Sequence, residues 1–208
     1  MDEIMPANPD PIQAQLIDAR RNQILDAATE VFAAKGFHGA TIRQIAQTAG
    51  IADGTIYLYF KTKTDLLLGI LDRINESEQR ADDLAQPNEG DFADFFAVYL
   101  RHRMKRLDEN FQALRAILPD ILSQPELRSR YYSQVIEPTF VTAEPIFRTW
   151  IAQGILKPLD PTLALRAISG MVFGLLVMRM LGDPVIEEQW EQFPEVLAPL
   201  LLQGIRAS

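Results

Sequence analysis

Two phenols and two ammonium groups fall within the short run "YLYFKTK": Tyr57, Tyr59, Lys61 and Lys63. A phenol offers a flat apolar face to a thymine methyl and a hydroxyl to a phosphate. Lysines just past a helix end can neutralise the flanking phosphates. Immediately upstream stands "DGT". Gly54 has no side chain, so backbone there can approach a phosphate or base edge closely, and Thr55 brings a hydroxyl. An ordinary amphipathic helix buries its aromatics and keeps its lysines apart from them. The chemistry of this stretch is instead that of contact with nucleic acid.

Overall charge speaks against such a partner, because the 208-residue chain carries a formal net charge of −8. The distribution matters more than the sum. Between Lys35 and Thr64 stand Lys35, Arg43, Lys61 and Lys63 against Asp53 alone, so this stretch is a basic island in an acidic chain.

The elements that must position these residues are helices. Apolar residues recur at helical spacing almost throughout, and alternating runs are missing, so the fold class expected is all-α. Ile24, Leu25, Ala28, Val31 and Phe32 make one stripe, closed by Gly36. Thr41 is a fitting N-cap for a short second helix holding Ile42, Ile45, Ala46 and Ala49, and Gly50 ends it. A third helix is expected from Asp53 to Phe60, and a fourth, capped by Thr62 or Thr64, carries Leu66, Leu67, Ile70, Leu71 and Ile74. "AQPNEGD" (85–91) reads as a loop with a helix from Phe92 after it. Prolines at 119, 125, 138, 145, 158, 161, 184 and 194 are expected to divide the rest into helices of ordinary length. Asp160-Pro161 opens an apolar helix to about Leu181, and a last helix runs from about Val185 to Ile205.

Ile42, Ala46, Gly50 and Ile56 have the spacing of a helix-turn-helix. Ala46 is small where the second helix crosses, Gly50 can take the left-handed turn, and Ile45, Ala49, Ile51 and Ile56 form an apolar wedge. Any helical hairpin with a glycine turn would share this pattern. What distinguishes it is the next segment. With Ile56 and Phe60 facing inward at i and i+4, Tyr57 and Tyr59 are left for a groove or its rims, with Lys61 and Lys63 beyond.

Over "TIRQIAQTAGIADGTIYLYFKTKTDLL" the sequence resembles the DNA-binding segment of TetR/AcrR-type transcriptional repressors, across about residues 18–75 and most specifically 41–67. That resemblance implies a three-helix helix-turn-helix domain over 18–64, preceded by a flexible arm over 1–17. A larger helical domain for effector binding and dimerisation would follow over 65–208. It implies a homodimer that sets its third helices in successive major grooves of a palindromic double-stranded operator. Arg43 would reach a base, Gly54 would lie against the DNA, and Thr41, Thr55, Tyr57, Tyr59 and Lys63 would touch phosphates or base edges. One departure stands out: Ala52 occupies the position where the family carries a capping Ser or Thr, and Asp53 follows. Asp53 favours the helix start through the dipole but brings a negative charge near phosphates. It either reads a cytosine amino group or points away, and the second is preferred.

In the larger domain, Phe92, Phe96, Tyr99, Arg103 and Leu107 form one stripe. An arginine there is either paired with an acid or anchors an acidic ligand. Arg101, Lys105, Arg106 and His102 read as solvated surface. An effector pocket is expected among Phe95, Phe96, Tyr99, Phe111, Tyr131, Phe140, Phe147, Trp150, Met171 and Phe173, with Arg103 alongside, although aromatics at helical spacing equally serve as plain core. Their abundance favours a small apolar or amphipathic effector. Gly170 and Gly174 allow a second helix close, either at a dimer interface or within the monomer. If the helix holding Arg179 packs at a dimer interface, Glu187, Glu188 or Glu191 of the final helix could pair with Arg179, and Trp190, Phe193 and Leu197 would complete the dimer face.

Several classes of function fare badly. No run of apolar residues is long and uninterrupted enough for a membrane span, the first twenty residues are too acidic for a signal peptide, and cysteine is absent. A soluble cytoplasmic protein is expected. His38 and His102 are the only histidines, and no glycine-rich phosphate loop or coherent acid/base set exists, so neither catalysis, a cofactor nor a metal is expected. The leading expectation is a ligand-released repressor. An activator of the same fold is the near alternative, and a helical protein-interaction module without DNA binding is the distant one.

Overall fold

Thr41 begins the local logic of the N-terminal unit. In the computed structural model, which describes residues 11–76 and 92–205, its Oγ1 accepts from Gln44 N at 3.2 Å while Thr41 N donates to Gln44 Oε1 at 3.1 Å. This reciprocal capping starts α2 (Ile42–Ala49). Gly50 ends it at φ 68°, a left-handed conformation that L side chains rarely adopt, and its N–H returns to the last carbonyls of α2. Before α2 runs α1 (Pro11–Gly39), interrupted at Gly36, where φ 69° and ψ 170° are not helical. Residues 11–17, part of the expected arm, are thus helical, and residues 1–10 lie outside the described residues.

The third helix is shorter than expected. α3 covers Asp53–Ile56 only, and a turn follows, with Leu58 N bonded to Thr55 O and Tyr59 N to Ile56 O. Ala52 offers no side-chain acceptor at the start of α3, and Thr62 restarts the chain six residues past Ile56. Thr62 and Asp65 form a second reciprocal cap that opens α4 (Lys63–Asn75). Ile24, Phe32, Ile45, Ala46, Ile56, Leu66 and Ile70 meet without residual exposure at the centre of this unit. Gln23 Nε2 adds a bond to Ala49 O at 2.7 Å that ties α1 to the end of α2.

The larger unit follows as α5 (Phe92–Glu109), α6 (Phe111–Ser123) and α7 (Pro125–Tyr131). A π-helical turn (Tyr132–Ile136) leads from α7 into α8 (Glu137–Ala152). Then come α9 (Pro161–Met180), α10 (Pro184–Glu188), a 3₁₀ turn (Trp190–Gln192) and α11 (Phe193–Ile205). No extended strand occurs among the described residues, and the all-α class holds. The expected loop at 85–91 lies outside them. The final helix is divided rather than continuous. Pro119, Pro145 and Pro199 lie inside helices instead of ending them. An interior proline costs about 3 kcal/mol, and burying apolar neighbours such as Ile117, Leu118 and Ile121 around Pro119 offsets that.

α1 packs on α2, α4 and α6, so the first helix belongs to both units. Arg130 reaches Asp65 at 2.7 Å, and His38 meets Asp120 at 3.1 Å, both across the junction. α9 is long and apolar enough, by composition and length, to cross a bilayer, yet only 22% of its apolar window is buried within this chain.

Candidate nucleic-acid interface and effector cavity

The buried wedge of α2 and α3 leaves one rim of side chains outside. Thr41, Arg43, Gly54, Tyr57 and Lys61 are exposed, and Thr55 and Tyr59 are half-buried. Helical phase explains the difference between the tyrosines. Ile56 and Phe60 point inward, Tyr59 stands next to that inward face and packs on the core, and Tyr57 is 54% exposed. Leu58, opposite the inward pair, is 81% exposed and was not among the expected contacts. The same phase would have found it, since an apolar side chain there suits a thymine methyl. Asp53 is exposed on the same rim.

Lys63 departs from expectation. Its Nζ donates to Phe37 O at 2.7 Å and to Ala40 O at 2.9 Å, and lies 4.6 Å from the centre of the Phe37 ring. These carbonyls belong to the end of α1 and the link to α2, where helix-end acceptors lack intrahelical partners. Burial lowers the Lys63 pKa from the ordinary lysine value, against the opposing charge of Asp120. The ammonium thus clasps the end of α1 rather than facing a groove. Asp65, two residues on, shows the contrary balance. Burial would raise its carboxyl, but hydrogen bonds from Arg130 and Thr62 hold it below the usual value.

In the larger unit, a cavity of about 380 Å³ lies between α4, α5, α6, α8 and α9. Phe96, Tyr99, Arg103, Phe147 and Phe173 line it together with Tyr131 and Phe140. Phe111, Trp150 and Met171 do not. Phe111 is buried beneath Arg179, 4.1 Å away. Trp150 sits edge-on to Phe92 at 5.1 Å in an aromatic cluster behind the wall, and Met171 faces outward. Phase alone could not separate Met171 from Phe173, because α9 is apolar on every side. Asn75, Thr139 and Arg166 also line the cavity and were not anticipated. Asn75 Nδ2 donates to Thr139 Oγ1 at 2.7 Å. Arg103 comes within 3.9 Å of the Glu76 carboxylate through Nη1, so the expected pairing with an acid is present, and the same group has further partners. Its Nη1 donates to Ile74 O at 2.9 Å and Asn75 O at 3.2 Å, capping α4. Glu76, just beyond, adopts φ 50° and meets His102 at 2.9 Å and Arg106 at 2.7 Å, so those two are not merely solvated.

The expected dimer face is also redrawn. Arg179 pairs with Asp108 at 2.7 Å, between the rings of Phe111 and Trp190, and not with Glu187, Glu188 or Glu191. Trp190 donates to Met104 O at 3.0 Å and is 3% exposed, and Leu197 is 5% exposed, so neither has surface left for a partner. Phe193 is half-buried against the core. Gly170 lines the cavity, and Gly174 is half-exposed on α9. The outward face of α9 shows Leu163, Met171 and Met178, with Leu181 exposed just past its end.

A helix-turn-helix unit joined by a shared helix to a hollow all-α unit defines a class of two-part DNA-binding protein. Comparison narrows the class. Residues 24–70 match the family described as bacterial regulatory proteins, tetR family, and residues 100–193 match the AefR-like transcriptional repressor C-terminal domain. The chain belongs to the tetR family of regulatory proteins. The fatty acid metabolism regulator protein of Bacillus subtilis is 56% identical over 48 residues, which is 23% of this chain and 25% of that protein. That curated relative is thus matched over only a quarter of its length. The structure of the fatty acid degradation regulator FadR from Bacillus halodurans has a TM-score of 0.72 at 26% identity, covering 89% of this chain and 99% of that one. FadR from Bacillus subtilis in complex with stearoyl-CoA has a TM-score of 0.65 at 27% identity, with the same coverage.

Proposed function

We propose that the protein is a homodimeric transcriptional repressor that leaves a palindromic operator when an amphiphile with an acyl chain fills the cavity. The observation that carries this is the reach of α4 from one site to the other. Its N-terminus follows directly on the exposed rim of Tyr57 and Lys61, and its C-terminal residues Leu71, Ile74 and Asn75 line the cavity. Its 13 residues span roughly 20 Å, so one rigid element touches both sites. An effector that fits better when α4 is displaced shifts the population away from the spacing two reading helices need. The acyl class is supported by the apolar lining and by the stearoyl-CoA complex of the Bacillus subtilis protein.

Dimerisation is assigned to the outward face of α9 and the residue just past it, where Leu163, Met171, Met178 and Leu181 flank small residues. A second copy, rather than lipid, covers it, because the exposed side of α9 carries the charged Arg166 and its other face is packed on the core. Operator binding places the protein in the cytoplasm with the chromosome. The test is anisotropy of labelled DNA from upstream of its own gene, titrated at several salt concentrations. Selective binding with a steep salt slope is expected, lost on adding palmitoyl-CoA, and weakened in Tyr57→Ala without a change in melting. Absence of selective binding at every salt would refute the DNA-binding assignment. Binding that palmitoyl-CoA leaves intact would refute the effector class alone.

A further inference from the structure

Besides Tyr99, Tyr131 and Ser169, four polar side chains line the cavity. Asn75, Arg103 and Thr139 are buried and engaged with one another's elements, through Arg103 on the carbonyls ending α4 and Asn75 on Thr139. Arg166 differs. It lies on α9, exposed, and its guanidinium stands 4.6 Å from the centre of the Phe140 ring, another lining residue. Nη1 donates to Thr162 O at 2.9 Å, one turn back. Its remaining N–H groups have no protein acceptor among the described residues. Glu144, whose carboxyl feels the Arg166 charge, is taken by Arg148 at 2.6 Å.

The phase of α9 locates the opening. Leu165, Ile168 and Leu176 face the buried side, whereas Arg166, Gly170 and Phe173, at i, i+4 and i+7, form one edge. All three of these edge residues line the cavity, yet Gly170 and Phe173 are exposed, Phe173 by 42%. The cavity therefore meets solvent along that edge. An arginine held over an aromatic ring, with donors left beyond its one bond to Thr162 O, suits a carboxylate or phosphate oxygen.

We infer that Arg166 is the anion-binding residue of the cavity, receiving the carboxylate or phosphate head of an acyl-chain effector at the α8–α9 mouth while the chain lies inside. This rests on the effector class proposed above. It also assigns the direction of entry: chain first, head outward, against α9.

Calorimetric titration of the intact protein with palmitoyl-CoA, palmitate and the uncharged cetyl alcohol tests it, using Arg166→Ala and Arg166→Lys. Arg166 is exposed, and a melting curve for each variant checks that its fold is kept. The parent is expected to bind all three probes. Arg166→Ala should bind the anionic probes about fivefold more weakly at low salt, with cetyl alcohol unchanged and Arg166→Lys close to the parent. Weakening of both anions assigns the carboxylate as a sufficient head, and weakening of palmitoyl-CoA alone assigns its phosphates. Equal weakening of all three probes would overturn the inference, since Arg166 would then act by packing on Phe140. Unchanged binding of both anions would overturn it as well. A parent that binds none of the probes would overturn the effector class and this inference with it.

Discussion

Replacing Lys63 by methionine keeps most of the apolar stem and removes the ammonium. Two hydrogen bonds from a charged donor, at 2.7 and 2.9 Å, and one contact with the Phe37 ring at 4.6 Å are lost together. Hydrogen bonds to a charged group contribute about 1.5–3 kcal/mol, and a partly exposed cation–π contact about 0.5–1 kcal/mol. Lys63 is half-buried and its charged form already suffers from desolvation, so about 2 kcal/mol is the net loss to expect. For a chain of this length that is a fall in melting temperature of roughly 4–8 °C. Lys61 is exposed and serves as the control. Lys61→Ala should melt as the parent does but lower the slope of log affinity against log salt by about one. Lys63→Met should do the reverse, with operator affinity reduced through the loosened α1–α4 junction and the salt slope kept. Circular dichroism melts and anisotropy titrations measure both. Lys63→Met melting within about 1 °C of the parent, together with a slope lowered by one, would refute the clasp and restore Lys63 as a phosphate contact.

Gly50→Ala places a Cβ where nothing lies within 4 Å, so its cost is conformational alone, about 1 kcal/mol from the left-handed backbone, read as a melting temperature lowered by roughly 2–4 °C. Asp65, whose carboxyl is held below its ordinary value, contributes stability that is present above the unfolded carboxylate pKa of about 3.9 and is lost as pH falls through the lower folded value. Denaturant melts of parent and Asp65→Asn should therefore differ by a constant amount from neutral pH down to about pH 4 and converge below it. The pair Met178→Glu and Leu181→Glu, made together at the exposed C-terminal end of α9, should give a monomer by light scattering and weaken operator binding at least about a hundredfold, since each half-site then binds alone.

The N-terminal unit was legible because its determinants are local. Thr41 with Gln44, Thr62 with Asp65, and Gly50 at the end of α2 act within three or four residues, so spacing announces them. The short α3 is less legible at its far end, where apolar Ile56 and Phe60 suggest a helix through Phe60 but the chain turns after Ile56. The cavity was half legible. The stripe of α5 holding Phe96, Tyr99 and Arg103 does face it, but α9 is apolar all round, and periodicity cannot then choose between Met171 outside and Phe173 at the mouth. Arg166 on the same helix carries no sequence signal beyond its charge.

The sequence by itself determined the all-α class, the caps and left-handed turn of the helix-turn-helix, and the outward Tyr57 and Lys61, because each follows from hydrogen bonding and phase over a few residues. Tertiary structure decided where the long polar side chains go. Lys63 meets carbonyls some two dozen residues earlier, and Arg179 meets Asp108 rather than the nearby glutamates. Trp190 is spent on Met104 O inside the monomer. A flexible cation or an indole N–H seeks whichever acceptor folding leaves unpaired beside it, and that acceptor is set by how helices distant in sequence pack together.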